Sequence, residues 1–321
     1  MDVLIYLIQN TLPVMIPLLL VALGGMFSER SGVINIALEG IMLIGAFIGT
    51  LCVFFVQGSG MDPQVILLIG TLAAAVAGIV YSLLLGVAAI HLKADQTISG
   101  TALNMFAPAI MLLVCKMAFM SDGVTTNVAF YIQKIPVLGD IPVIGELFFQ
   151  KTYATVGIGI LILVVSTIFL YKTKLGLRLR ACGEHPQAAD SVGINVYKMR
   201  YLGVCLSGFL GGIGGFFYAV SIMDGNSNGH TGVAGFGFLA LAVMIFGQWK
   251  PITIFLAALF FAVLRTVAYS VPVIPVLANL GIHNAIYKML PYVATMIILA
   301  FTSGKSRAPK AEGIPYDKGQ R

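Results

Sequence analysis

Charge is what this chain has least of. Only 10% of its 321 residues are Asp, Glu, Lys or Arg, while 59% are hydrophobic; a soluble globular domain carries about 25% charged and about 45–50% apolar residues. That balance excludes a water-soluble enzyme, and it excludes disorder, which needs low hydrophobicity. Cysteine is scarce too. Cys52, Cys115, Cys182 and Cys205 lie far apart, which is neither a disulfide framework nor a CxxC metal site. The histidines His91, His185, His230 and His283 lack metal-ligand spacing, and no cofactor is called for. What the chain does have is a succession of long apolar runs, the composition of an all-α polytopic membrane protein.

Runs of about 20 apolar residues cross a hydrocarbon core of about 30 Å. They fall at Leu12–Phe27, Val33–Val56, Val65–Ile90, Ile98–Phe119, Tyr153–Tyr171, Tyr201–Val220, Phe236–Phe246, Ile252–Tyr269 and Ile286–Phe301. This gives about nine spans, eight to ten in all, with the short Phe236–Phe246 run readable as re-entrant. Basic residues cluster after alternate spans: Arg30, Lys93, the segment Lys172–Arg200, Lys250, and the tail from Lys305 to Arg321. The positive-inside rule places these in the cytoplasm, with the N-terminus outside and the C-terminus inside. The first span is not a cleavable signal, because its basic residue follows the apolar core. Pro13 and Pro17 should bend that span rather than end it. Residues 1–302 read as one transmembrane domain and 303–321 as a polar cytoplasmic tail, loosely ordered.

Two short patterns invite catalytic readings. Thr302-Ser303-Gly304-Lys305-Ser306 contains Gly-Lys-Ser, but Leu299 stands where a phosphate loop needs glycine, and neither a preceding strand nor a following helix is expected. Gly225-Asn226-Ser227-Asn228-Gly229 spells a nucleophile elbow, with His230 adjacent. That motif requires a strand-to-helix turn above a sheet, and a loop between membrane spans does not supply one.

The largest cytoplasmic loop, residues 172–200, is more informative. Pro186 suits the first turn of a helix, where its missing N–H is no loss. Glu184, just before it, complements the positive end of the helix dipole. Gly193 suits the left-handed residue that ends a helix. The result is a helix of about two turns, too short to stand alone in water, whose small Ala188 and Ala189 fit a close groove. An ordinary basic inside loop is the plain alternative.

The order Pro186-x-Ala188-Ala189-x-x-x-Gly193 resembles the loop by which permease subunits of ATP-binding-cassette importers dock into their ATPases, with Gln187 where many members have Glu. The segment Glu29–Phe47, containing Asn35-Ile36-Ala37-Leu38-Glu39-Gly40, is similar to the second span of the branched-chain amino acid, ribose and nucleoside permeases, and most similar to the nucleoside branch. The resemblance continues through Asp95–Asn104 and Gly235–Val243. It implies a type II importer-like bundle in a bacterial inner membrane and an ATPase contact through Glu184, Pro186, Gln187, Ala188, Ala189 and Gly193. It further implies a separate ATPase subunit, a second and non-identical permease, an external solute-binding protein and a small-molecule solute, with lipid around the bundle and no nucleic acid. Ribose-type sugars or branched-chain amino acids are alternative cargoes, and a stand-alone secondary transporter is the alternative class.

Polar groups inside spans usually face a bundle interior or a water-filled cavity. Asn35 and Glu39 are four apart on one expected helix face, and Thr97, Thr101 and Asn104 share another. With Arg265 they are the candidates for a solute path. Interhelical hydrogen bonding for Asn104, a structural pair for Glu39 and snorkelling for Arg265 are the competing readings. The pairs Gly45/Gly49, Gly208/Gly212 and Gly211/Gly215 let helix backbones approach closely.

Overall fold

A computed structural model describes residues 2–134, 145, 150–223, 225, 227–228, 233–271, 284–302 and 307–319. The helices are α1 (Asp2–Arg30), α2 (Leu38–Val56), α3 (Pro63–Gly86), α4 (Gln96–Phe119), α5 (Ala154–Lys172), α6 (Lys174–Glu184), α7 (Pro186–Ser191), α8 (Val196–Ile222), α9 (Phe236–Phe246), α10 (Pro251–Ser270) and α11 (Asn284–Thr302). Among the described residues, seven helices (α1 to α5, α8 and α10) are long and apolar enough to cross a membrane; α9 and the described apolar part of α11 are shorter. Several start where the side chains dictate. Asp62 caps α3 through the Gln64 N–H at 2.8 Å, with Pro63 in the first turn. Asp95 accepts from Thr97 and Ile98 at 2.8 and 2.9 Å to cap α4, and Asn195 accepts from Lys198 at 3.0 Å to cap α8.

α1 and α8 form the centre, with 89% and 83% of their most apolar windows buried, whereas α4 and α5 are buried over only 22%. α3 shows the outward pattern directly. Leu68, Leu72, Val76, Val80 and Leu84 form an exposed stripe at four-residue spacing, which water would not tolerate and lipid or an apolar partner would. Glycine sets the inner spacing. A Cβ on Gly215 of α8 would press into the Met42 carbonyl of α2, and one on Gly212 into the Ala74 carbonyl of α3. The three helices therefore cross backbone to backbone.

At the far end of α8 from α6 and α7, two antiparallel ribbons close the bundle. β1 (Gly123–Val124) pairs with β4 (Ser227–Asn228), and β2 (Tyr131–Lys134) with β3 (Gln150–Tyr153). Ser227 thus lies opposite Val124 in a ribbon, not on a strand-to-helix turn, and the catalytic elbow is not formed. His230, and Ser303–Ser306 of the Gly-Lys-Ser pattern, lie outside the described residues.

The second span differs from the reading above. It does not begin at Val33; residues 33–35 are non-helical, 36–37 form a turn, and the helix starts at Leu38. Asn35 and Glu39 therefore do not share a helix face. Irregular backbone at membrane depth persists only where protein satisfies its polar groups, and here it does. Ser28 Oγ donates to the Val33 carbonyl (2.7 Å), and Gln96 Oε1 accepts from the Ile34 N–H (2.7 Å). Asn104 Nδ2 donates to the Ile36 carbonyl (2.8 Å), while its Oδ1 accepts from the Gly40 N–H (2.8 Å).

The tail also differs. Residues 307–319 pack on the bundle rather than trailing from it. The Ala311 N–H donates to the Gly183 carbonyl at 2.9 Å, Arg200 Nη2 to the Ile314 carbonyl at 3.0 Å, and Lys93 pairs with Asp317 at 2.7 Å. That pair holds Asp317 below and Lys93 above their usual pKa ranges, through the hydrogen bond they share.

Candidate functional site

The loop of residues 172–200 folds as two helices. α6 is amphipathic: Gly176, Leu179, Cys182 and Gly183 face inward, and Leu175 and Leu177 outward. Thr173 caps it through the Gly176 N–H at 3.0 Å. Gly183 sits so close to the Arg30 carbonyl that any side chain there would collide with it. Glu184 closes α6 and reaches Arg30 at 3.7 Å; it belongs to the preceding helix and does not act at the start of α7, where His185 is the cap residue. Pro186 opens α7, and Gly193 follows it at φ +83°, the left-handed region. Pro186 and Ala189 are buried, Ala189 against Cys182, Val196 and Tyr316. Gln187, Ala188, Ser191 and Gly193 are exposed, and Val192 is 75% exposed. A six-residue helix seated on a packed base, with an open outer face, has room for a foreign subunit.

Within the membrane, α9 supplies the second half of the arrangement. Its eleven residues span about 16 Å at 1.5 Å each, roughly half of the hydrocarbon core. The turn after it is tied to the end of α1: Trp249 Nε1 donates to Glu29 at 2.5 Å, and the Arg30 guanidinium donates to the Trp249 carbonyl at 3.1 and 3.3 Å. The N-terminus of α9 therefore lies deep in the bundle. Its first amides point at Glu39, which accepts from Gly235 at 2.9 Å and Gly237 at 2.7 Å. A carboxylate is the natural partner for the free N–H groups and positive dipole end of a helix.

Above this junction sits a cavity of about 570 Å³, within the roughly 300–1,000 Å³ typical of ligand sites. Tyr6, Tyr131, Tyr153, Tyr218 and Tyr269 line it, with Gln9, Asn10, Ser221 and Arg265 among them. Arg265 is buried, not snorkelling: its guanidinium lies 4.0 Å from the centre of the Phe236 ring and 5.2 Å from that of Tyr269. Phe236, the first residue of α9, also meets Tyr218 edge to face at 4.5 Å. Glu39 and Arg265 are thus brought together around the start of α9. Asn35 is fully buried and donates to Ser207 of α8 at 2.7 Å, and Asn104 holds the entry of α2. Thr97 and Thr101 are exposed on the outer side of α4, where the Thr101 hydroxyl bonds its own helix. The tyrosines escaped the sequence reading because they come from separate elements and are far apart in the chain.

Residues 7–300 match the family described as branched-chain amino acid transport system / permease component. The chain belongs to that family. Over its full length it is 44% identical to the guanosine ABC transporter permease protein NupQ of Bacillus subtilis, covering 99% of that protein. It is 41% identical to the nucleoside ABC transporter permease protein NupC of Lactococcus lactis, over 98% of this chain and 97% of that one. A second protein of that bacterium, the nucleoside ABC transporter permease protein NupB, matches at 32% over 52% of this chain and 47% of its own. No solved structure matches. As a member of a permease-component family, with seven helices among the described residues long and apolar enough to cross a membrane, the protein is a multi-pass plasma-membrane transport subunit and not an enzyme.

Proposed function

We propose that this chain is the permease subunit of an ATP-driven importer that moves nucleosides across a bacterial inner membrane. The observation that carries this reading is α7, seated on Ala189 and Pro186 with its outer face open. In this reading the N-terminus is outside, the tail is cytoplasmic, and nine segments cross or enter the membrane. An ATP-binding-cassette subunit grips α7 through Gln187, Ala188 and the Gly193 turn. An external binding protein delivers the solute, and a second, non-identical permease completes the path; two different permeases of one bacterium being similar to this chain supports that pairing.

The mechanical route follows from the contacts. α7 leads directly into α8, and α6 bears on the end of α1 through Gly183 and the Glu184–Arg30 pair. Movement of α7 thus reaches the two central helices. α1 and α8 both line the tyrosine cavity, and Tyr218 of α8 touches Phe236 at the start of α9. Closing of the ATPases shifts Arg265 in the cavity wall, and Phe236 packed behind it, against Glu39. Tyrosine rings suit the faces of nucleobases, and loose polar contacts suit a path that must release its cargo. The test is uptake of labelled guanosine or adenosine into vesicles holding the full complex. Uptake that needs internal ATP, stops with vanadate and survives a protonophore supports the reading. Uptake driven by an ion gradient overturns it in favour of a secondary transporter.

A further inference from the structure

The C-terminal segment lies where the proposed ATPase contact is. A cavity of about 560 Å³ opens between α7 and the tail, with Gln187, Ala188, Asp190 and Ser191 on one wall and Tyr316, Asp317 and Lys318 on the other. The tail wall is anchored from behind. Tyr316 is 5% exposed and packs with Cys182, Ala189 and Val196, the same residues that seat α7, and its ring meets Tyr197 edge to face at 5.4 Å. Arg200 holds the Ile314 carbonyl and Lys93 holds Asp317, so bonds on both sides of Tyr316 fix its height. A helix as short as α7 has little stability of its own; the buried Tyr316 ring is part of its base.

We propose that the tail around Tyr316–Lys318 and α7 form one docking surface, and that its occupant is the ATPase subunit. This rests on α7 being the ATPase contact. The argument for this occupant is continuity: the exposed side chains Gln187 and Ala188 that α7 offers outward are themselves one wall of the cleft, and Lys318 is exposed on the facing wall. A subunit seated on α7 closes the mouth of the cleft and meets the tail. The tail then has two roles. Its inner side props α7 through Tyr316, and its outer side adds Lys318 to the gripped surface. The ties to Lys93, between α3 and α4, and to Arg200 on α8 give the ATPase a second handle on the bundle besides α7 itself.

The test uses the permease co-expressed with its ATPase, carrying photoreactive benzoylphenylalanine in place of either Ala188 or Lys318. Both side chains are exposed, so neither replacement disturbs packing within the permease. The expected result is a cross-link to the ATPase from each position, both lost when the ATPase is omitted. A cross-link from position 188 alone overturns the shared surface and leaves the α7 contact standing. Cross-links from neither position overturn the α7 contact and this inference together. A cross-link from position 318 alone also overturns the shared surface.

Discussion

Replacing Glu39 by alanine removes the carboxylate that accepts from the first amides of α9. Gly235 and Gly237 donate to the two carboxylate oxygens at 2.9 and 2.7 Å, and first-turn N–H groups have no acceptor within their own helix. Hydrogen bonds to charged groups contribute about 1.5–3 kcal/mol each. Glu39 is half-buried, so the low end applies and the pair amounts to about 3 kcal/mol. At 1.4 kcal/mol per tenfold, local opening of the α9 N-terminus becomes about two orders of magnitude more frequent. Glu39→Gln keeps one acceptor oxygen and turns an NH₂ toward the other donor, so it should fall between wild type and alanine. Hydrogen exchange read by mass spectrometry, on a peptide covering residues 233–240 of the purified protein, measures this directly. Exchange in α8 serves as the internal reference and should not change. If the 233–240 amides of Glu39→Ala stay as protected as in wild type, Glu39 does not hold α9, and the junction at the cavity floor is wrongly described.

Three further outcomes are expected. Gly215→Ala drives a methyl into the Met42 carbonyl, which is backbone and cannot swing aside; overpacking of this kind costs about 1–3 kcal/mol. Gly157→Ala on α5 meets open space and should be neutral or slightly stabilising, so equal unfolding midpoints for the two variants in detergent would contradict the close crossing. Cys182 is buried in α6, and burial pushes its thiol up to about 11. The thiolate is the reactive form, so maleimide should not label Cys182 at pH 8 until residues 314–321 are deleted; labelling of the intact protein by mass spectrometry would show that the tail does not cover it. Arg265→Ala should lower ATP-driven nucleoside uptake while the subunits still assemble, and unchanged uptake would remove Arg265 from the path.

Local signals written into the chain were readable. Pro186 and Gly193 bracket α7 because ring geometry and a positive φ are properties of those residues themselves. The spans at α5 and α10 follow from length and hydropathy alone. The start of α2 was not readable, since the apolar run from Val33 onward holds no proline, and Asn35 and Gly40 alone do not mark a helix start. What stops the helix there is a set of distant acceptors and donors, Gln96 and Asn104 above all, more than sixty residues away. For the same reason the bonds that Asn35 makes to Ser207 and Asn104 to the backbone of residues 36 and 40 were not readable from their spacing. α6 hid behind its basic residues, although Thr173 and the inward set Gly176, Leu179 and Gly183 had the spacing of a helix face. The tail looked loose because its composition is polar, while its anchoring rests on a few side chains, Tyr316 and Asp317, that meet partners from other elements. Ser227 shows the converse: a motif can match letter by letter and still lack the turn that gives it chemistry.

The central claim is that α7 is what a separate ATPase takes hold of. Ala189, 3% exposed, faces the base of α7, and Gly193 turns the chain at a φ that proline cannot adopt. Co-purification of the ATPase with membrane-inserted permease measures the contact directly. The account predicts full retention by wild type and loss of the ATPase from both Ala189→Glu and Gly193→Pro at equal permease yield. Wild-type retention by both variants would contradict it.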